Sequence, residues 1–230
     1  YLVTAVQNTS TPVPSNALSR TTCGCQCWSL WGSFGLPCKP SKRKALVICA
    51  SALVAAAHAQ SVPVILDAAW GGHFGFHPNL PKHAFQLGAD ALITSVHKAL
   101  PGYSASALLI AQGRYLDLDR IEQSFETTHT TSPAGAPLAS IDAVRALLQV
   151  RGEELIGQLL ANVADFKALV QSEFALPIFL NPSDFPAGRF DPTKIVLRVQ
   201  QLGASGVEIE RELQGAGIRV EMADRDTIVF

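Results

Sequence analysis

Two short stretches of the chain carry side chains that can do chemistry. "PVILDAAWGGHFGFHP" ends an apolar run on Asp67 and follows it with glycines. "GADALITSVHKALPG" ends a second apolar run on His97-Lys98, just before Pro101-Gly102. In open α/β sheets, ligands gather beyond the carboxyl ends of the strands. An acid and an amine placed there either close the sheet as a structural ion pair or serve a reaction. The reaction that uses both is that of pyridoxal 5'-phosphate. A lysine amine condenses with the cofactor aldehyde, and an acid keeps the pyridine nitrogen protonated, so that the ring withdraws electrons from a substrate carbon. A partly apolar site helps such a lysine to lose its proton.

The elements that must position these groups are legible as alternating patterns. "PVIL" (63–66), "GADALITSV" and "ASALLIAQG" are short continuous apolar runs, which suit parallel strands covered on both faces. Before them, residues 45–48 read as a strand, followed by an alanine-rich helix that stops ahead of "SVPVILD". This alternation predicts an α/β fold with a mainly parallel sheet. Leu155, Leu159, Val163, Phe166 and Val170 keep a helical spacing, predicting a long helix that carries the chain from one domain into another. Beyond Pro177, "KIVLRV" reads as a strand, "GVEIERELQGAG" as a helix ended by glycine and "IRVEM" as a strand, the start of a smaller α+β domain. Residues 1–44 show no clear periodicity and stay unassigned. The expected organisation is therefore 1–44 unassigned, 45–150 a partial cofactor-binding major domain, and 151–230 a linking helix with a partial α+β domain.

Composition removes several function classes. With 48% hydrophobic and 16% charged residues, the chain has the material for a core. Net charge is −1, and the basic cluster "KPSKRK" is short and lacks aromatic partners, so nucleic-acid binding is not expected. Cys23, Cys25, Cys27 and Cys38 crowd together without the paired spacing of a zinc site, and no metal is expected. His73 and His77 resemble a ligand pair but have no evident third partner, and loop packing is the simpler account. "SKRKALVICASALVAAAHAQ" mimics a signal peptide, yet it is internal and too short to span a membrane. A cytoplasmic protein without membrane contact is expected.

Four ordered blocks together resemble one family. "DAAWGGHFGFHPNLP", "GADALITSVHK" and "TTSPAGAPLASIDAVRAL", continued by "DPTKIVLRV" and "GVEIERELQGAGIRVEMAD", are similar to the Orn/Lys/Arg decarboxylases, fold-type I pyridoxal-phosphate enzymes. The attachment motif S-x-H-K is present as Ser95-Val96-His97-Lys98. The resemblance covers roughly residues 46–230. It implies a major domain of the fold-type I transferase-like class and decarboxylation of ornithine, lysine or arginine to an amine and carbon dioxide.

The resemblance also implies roles. Lys98 would hold the cofactor covalently and give way to the substrate amine, and Asp67 would pair with the pyridine nitrogen. Ala69 would pack its methyl against the ring, while Ser95 and His97 would lie near the phosphate or the substrate carboxylate. Thr131 and Ser132 are further candidates for phosphate contact, across an interface in a homodimer or higher homo-oligomer. Trp70 is expected to pack rather than to touch substrate. Ala68 and Ala105 stand where the family often has Glu and Gln. The family's phosphate-cradling loop and ring-stacking aromatic precede the Asp block, and neither is found in the first 66 residues. The pattern predicts an internal piece of a decarboxylase behind unrelated sequence, as a frameshift or misplaced start would produce. An aminotransferase, or a non-catalytic truncated paralogue that only dimerises, are the competing expectations.

Overall fold

The computed structural model describes residues 2–7, 50–175 and 177–230; the cysteine-rich stretch and the strand expected at 45–48 lie outside them. Leu2–Gln7 forms strand β1, so the N-terminal stretch without evident periodicity does contribute to the sheet. The alanine-rich segment is helix α1 (Ala50–His58). The runs ahead of Asp67 and Lys98 are β2 (Ile65–Asp67) and β3 (Ala91–Ser95), and β4 is Ala107–Gln112. These strands pair in the order β1-β4-β3-β2.

β1 runs parallel to β4 and β2 parallel to β3, but β3 and β4 are antiparallel, with Ser95 opposite Ala107 and Ala91 opposite Ala111. The mainly parallel sheet expected from the apolar runs is therefore mixed, with the opposed pair at its centre. The connection explains it. Residues 96–106 alone join β3 to β4, too short a link for the crossover that a parallel return requires.

Two apolar clusters seat this sheet. Leu92 is buried with Ala84 and Ala89, and Leu66, Phe85 and Ile110 pack against them. Val96 is buried with Ile141, Val144 and Leu148, joined by Leu100 and Leu108. At the other end of the strands, nearly buried Asp90 accepts from His58 Nε2 at 2.8 Å and from Val64 N at 2.7 Å. One carboxylate oxygen thus ties the end of α1 to the starts of β2 and β3. A charged acceptor with both donors in place is stabilising when buried, whereas an unpaired one is costly.

Helix α2 (Leu118–Thr128) was not evident from the sequence patterns. Asp117 caps it by accepting from Arg120 N at 3.1 Å. The long helix is α3 (Gly135–Gln171), 37 residues. The chain folds as two compact units, and the division falls inside α3 between Gly152 and Glu153. Residues 77–81 belong to the second unit.

In that second unit β5 (Val196–Arg198), β6 (Met222–Ala223) and β7 (Thr227–Val229) form a sheet in the order β5-β7-β6, antiparallel throughout. Leu180, Phe190, Val196 and Val229 form its core. Helix α4 (Gly206–Gly215) opens with a reciprocal cap. Ser205 Oγ accepts from Glu208 N at 3.3 Å, and Glu208 Oε2 accepts from Ser205 N at 2.7 Å. Those bonds from Ser205 hold the Glu208 carboxyl below its ordinary range. The strand expected over "IRVEM" starts late, at Met222. Gly217 takes a left-handed φ of 80°, and Ile218 N bonds back to Leu213 O at 2.8 Å, so residues 217–218 terminate the helix instead.

Gly206 packs its α-carbon directly onto the turn before β7: an added Cβ would collide with Asp224 O and lie 2.8 Å from Thr227 O. Both obstacles are backbone. Gly206→Ala is expected to destabilise the protein by about 2 kcal/mol or more, within the range for forced overpacking. The denaturant midpoint checks it, and an unchanged midpoint would mean that α4 moves freely off residues 224–227.

Candidate active site

Asp67 closes β2 and is exposed. Its Oδ1 accepts from Ala69 N at 3.0 Å, an Asx-type bond that orients the carboxylate as the chain leaves the strand. β3 runs alongside in parallel register, Asp67 opposite Ile93, so both strands end on the same edge of the sheet. Lys98 follows three residues after β3 and is likewise exposed. The acid and the amine are thus delivered by neighbouring parallel strands at their carboxyl ends.

Three features fasten the Asp67 loop to the segment carrying Lys98. Ala68 N donates to Ile93 O at 2.8 Å, extending the β2–β3 ladder by one step. Thr94 Oγ1 donates to Ala68 O at 3.0 Å. Gly72 then lies so close that a Cβ there would stand 3.0 Å from both Thr94 Oγ1 and Leu100 Cδ1 and 3.2 Å from Ser95 O. The Gly-Gly after Trp70 is therefore a requirement of close approach. Gly72 and Thr94 are the positioning residues that motif reasoning did not single out, and the glycine doublet was the available signal.

The segment around Lys98 is pinned from its other side. Val96 N donates to Ser106 O at 2.9 Å and Gly102 N to Val96 O at 2.8 Å. His97 Nδ1 also meets the Ser106 carbonyl, at 2.8 Å. A carbonyl only accepts, so Nδ1 carries the proton and Nε2 is the nitrogen left to face a ligand. This bond anchors the ring through Nδ1. Lys98 itself makes no ion pair among the described residues; its Nζ stands 5.7 Å from the centre of the Trp70 ring. A structural Asp67–Lys98 ion pair is thus not what closes this edge. Trp70 does more than pack, since it supplies the face on which the ammonium rests, an attraction of about 0.5–1 kcal/mol at an exposed site.

The remaining candidates are less concentrated. Ser95 is nearly buried, at 8% exposure, and pairs across to Ala107. Ala69 is half-buried beside the acid. Thr131 and Ser132 are exposed on the turn entering α3, where Ser132 N bonds locally to Thr130 Oγ1 at 3.2 Å. His73 is buried and tilted against Phe74, and His77 Nδ1 accepts from Asn79 N at 3.1 Å. No group of three His, Cys, Asp or Glu side chains among the described residues could hold a metal.

The Orn/Lys/Arg decarboxylase major-domain model matches residues 45–184, a span that contains Asp67, Lys98 and every residue of the clasp between them. The chain belongs to the Orn/Lys/Arg decarboxylase family. It is 34% identical over 176 residues to an arginine decarboxylase of Bacillus subtilis and 32% identical over 178 residues to one of Bacillus cereus. These alignments cover 75% of the chain but 36% and 38% of those proteins, so the chain spans little more than a third of these relatives. Among solved structures it resembles the constitutive lysine decarboxylase of Escherichia coli, with a TM-score of 0.63 at 19% identity, covering 83% of this chain and 32% of that one. It also resembles an alanine–glyoxylate aminotransferase from Nostoc sp., with a TM-score of 0.53 at 14% identity, covering 77% and 50% respectively. Both likenesses place the fold with the fold-type I pyridoxal-phosphate enzymes.

The residues present fit that cofactor in kind. An exposed carboxylate held by a backbone N–H and an exposed amine leave adjacent strands, and a half-buried histidine anchored through Nδ1 precedes the amine in the chain. The clasp that keeps acid and amine in register gives its own test. Thr94→Val leaves Ala68 O without its hydroxyl donor and is expected to cost about 1–2 kcal/mol. Gly72→Ala is expected to cost about 1–3 kcal/mol by overpacking. Urea titration of both variants checks this, and midpoints equal to the parent's would show that the two loops are not mechanically joined.

Proposed function

We propose that this protein decarboxylates a basic amino acid, ornithine, lysine or arginine, with pyridoxal 5'-phosphate as cofactor. The observation that carries the proposal is the delivery of Asp67 and Lys98 beyond the carboxyl ends of adjacent parallel strands, within the span that matches the family. When bound, the cofactor supplies the electron sink that makes loss of carbon dioxide from the substrate's α-carbon feasible.

The chain's own residues supply the rest. Lys98 would hold the cofactor through its side-chain amine. Asp67, oriented by Ala69 N, would hold a proton on the pyridine nitrogen of the cofactor. His97, fixed by Ser106 O, presents Nε2 to the phosphate or the substrate carboxylate. Ala69 would offer a small methyl against one face of the ring, Ser95 would lie near the phosphate or the substrate carboxylate, and Thr131 and Ser132 would contact the phosphate. We assign Thr131 and Ser132 to a site completed by a second copy of the chain in a homodimer.

The test is the visible spectrum of the purified chain with added pyridoxal phosphate, beside Lys98→Ala. A borohydride-reducible band in the parent and none in the variant is expected. Asp67→Asn is expected to keep the band and lose turnover. Spectra identical to free cofactor in both proteins would remove the proposal. Product analysis with the three amino acids then separates amine and carbon dioxide from the keto acid that an aminotransferase would yield.

A further inference from the structure

The return from β3 to β4 carries Lys98, and part of its shape is set from within. Gly102 N donates to Val96 O at 2.8 Å. Ser106 gives Tyr103 O both its amide, at 3.1 Å, and its hydroxyl, at 2.6 Å. Between Tyr103 and Ser106, Ala105 holds a left-handed φ of 67°. A side chain in that conformation persists where the surrounding structure over-determines it.

The loop is also fastened outward, to α3. Leu100, two residues after Lys98, packs on the cluster of Val96, Ile141, Val144 and Leu148. Apolar packing of this kind is non-directional and does not fix a register by itself. A hydrogen bond does: Tyr103 N donates to Ser140 Oγ at 3.1 Å, across 37 residues of chain. Ser140 Oγ in turn donates to Pro137 O at 2.8 Å. A hydroxyl has one proton and two lone pairs, so with its proton on Pro137 O the oxygen faces Tyr103 as an acceptor. Stability is not where this bond counts. Tyr103 is 61% exposed, and water can take over its amide if the hydroxyl is lost. Water cannot hold that amide in one place.

We propose that Ser140 is a positioning residue for Lys98: its hydroxyl, seated on Pro137 O and accepting from Tyr103 N, pins the loop to the start of α3 and so fixes where the amine stands. The inference rests on the decarboxylase reading, since the role of Lys98 there gives the loop's position its chemical consequence.

The test compares the parent with Ser140→Ala, Ser140→Thr and Ser124→Ala. The last of these loses a hydroxyl bond of similar kind, from Ser124 Oγ to Arg120 O at 2.7 Å on α2, away from the loop. Backbone amide exchange of the chain without cofactor is read first, then growth of the borohydride-reducible band on adding pyridoxal phosphate. Ser140→Ala is expected to speed exchange several-fold in peptides spanning 99–106 and to leave the rest of the first unit unchanged. It is also expected to slow the band several-fold at an unchanged denaturant midpoint. Ser140→Thr, which keeps the hydroxyl, is expected to restore both, and Ser124→Ala to match the parent. A band that grows in Ser140→Ala at the parent's rate would overturn this proposal alone. Exchange raised throughout the first unit would overturn it too, by making Ser140 a residue of general stability. No band in the parent would remove the decarboxylase reading, and the positioning role with it.

Discussion

The parallel pairing of β2 with β3 is the constraint on which the rest of the site depends. It is short, three residues on the β2 side, and a ladder of that length fixes direction better than position. What makes it specific is the continuation past the strand ends. The Ala68–Ile93 bond, the Thr94 hydroxyl on Ala68 O and the close seat of Gly72 turn two loops into one rigid edge. At the opposite ends of the same strands, Asp90 gathers His58 and Val64. Both ends of the pair are therefore held by side-chain-to-backbone bonds, and the apolar runs between them need only fill space.

The antiparallel β3–β4 return has a functional reading as well as a topological one. A crossover helix after Lys98 would carry the chain away from the edge where the acid sits. The tight return keeps residues 96–106 folded on themselves, with Ser106 O serving both Val96 N and His97 Nδ1. That turn includes Ala105 at a left-handed φ of 67°, where a side chain costs about 1–2 kcal/mol. Gly102 in the same turn leaves no room for a Cβ against Val96 O. The segment beside the amine is thus held in one shape at some local expense.

Most of this was legible where periodicity and strand-end chemistry coincide. The apolar runs located β2, β3 and β4, and the residues closing them located the acid and the amine. Direction was not legible from the runs, because a buried strand has the same composition whichever way it pairs; the length of the link after Lys98 held that information. "IRVEM" failed for a related reason: its β-branched and apolar residues suit a strand, but Gly217 and Ile218 are first spent on ending α4. Leu2–Gln7 was overlooked because a six-residue strand beside a stretch rich in Ser, Thr and Pro offers no period to detect.

Trp70 shows where motif logic is blind to geometry. A tryptophan after "DAA" is adequately explained as packing, and nothing in its type says that an ammonium rests on it. The same side-chain pairing recurs at Lys167, yet the two amines differ in the variable that controls their chemistry. Lys98 is exposed over one ring, so water solvates its charge and the ring adds a weak orienting pull. Lys167 lies between two rings that are themselves buried, where the lost hydration outweighs what the rings return. An aromatic neighbour is therefore not a sufficient description of a lysine. The depth of the rings decides how much hydration the contact costs the cation.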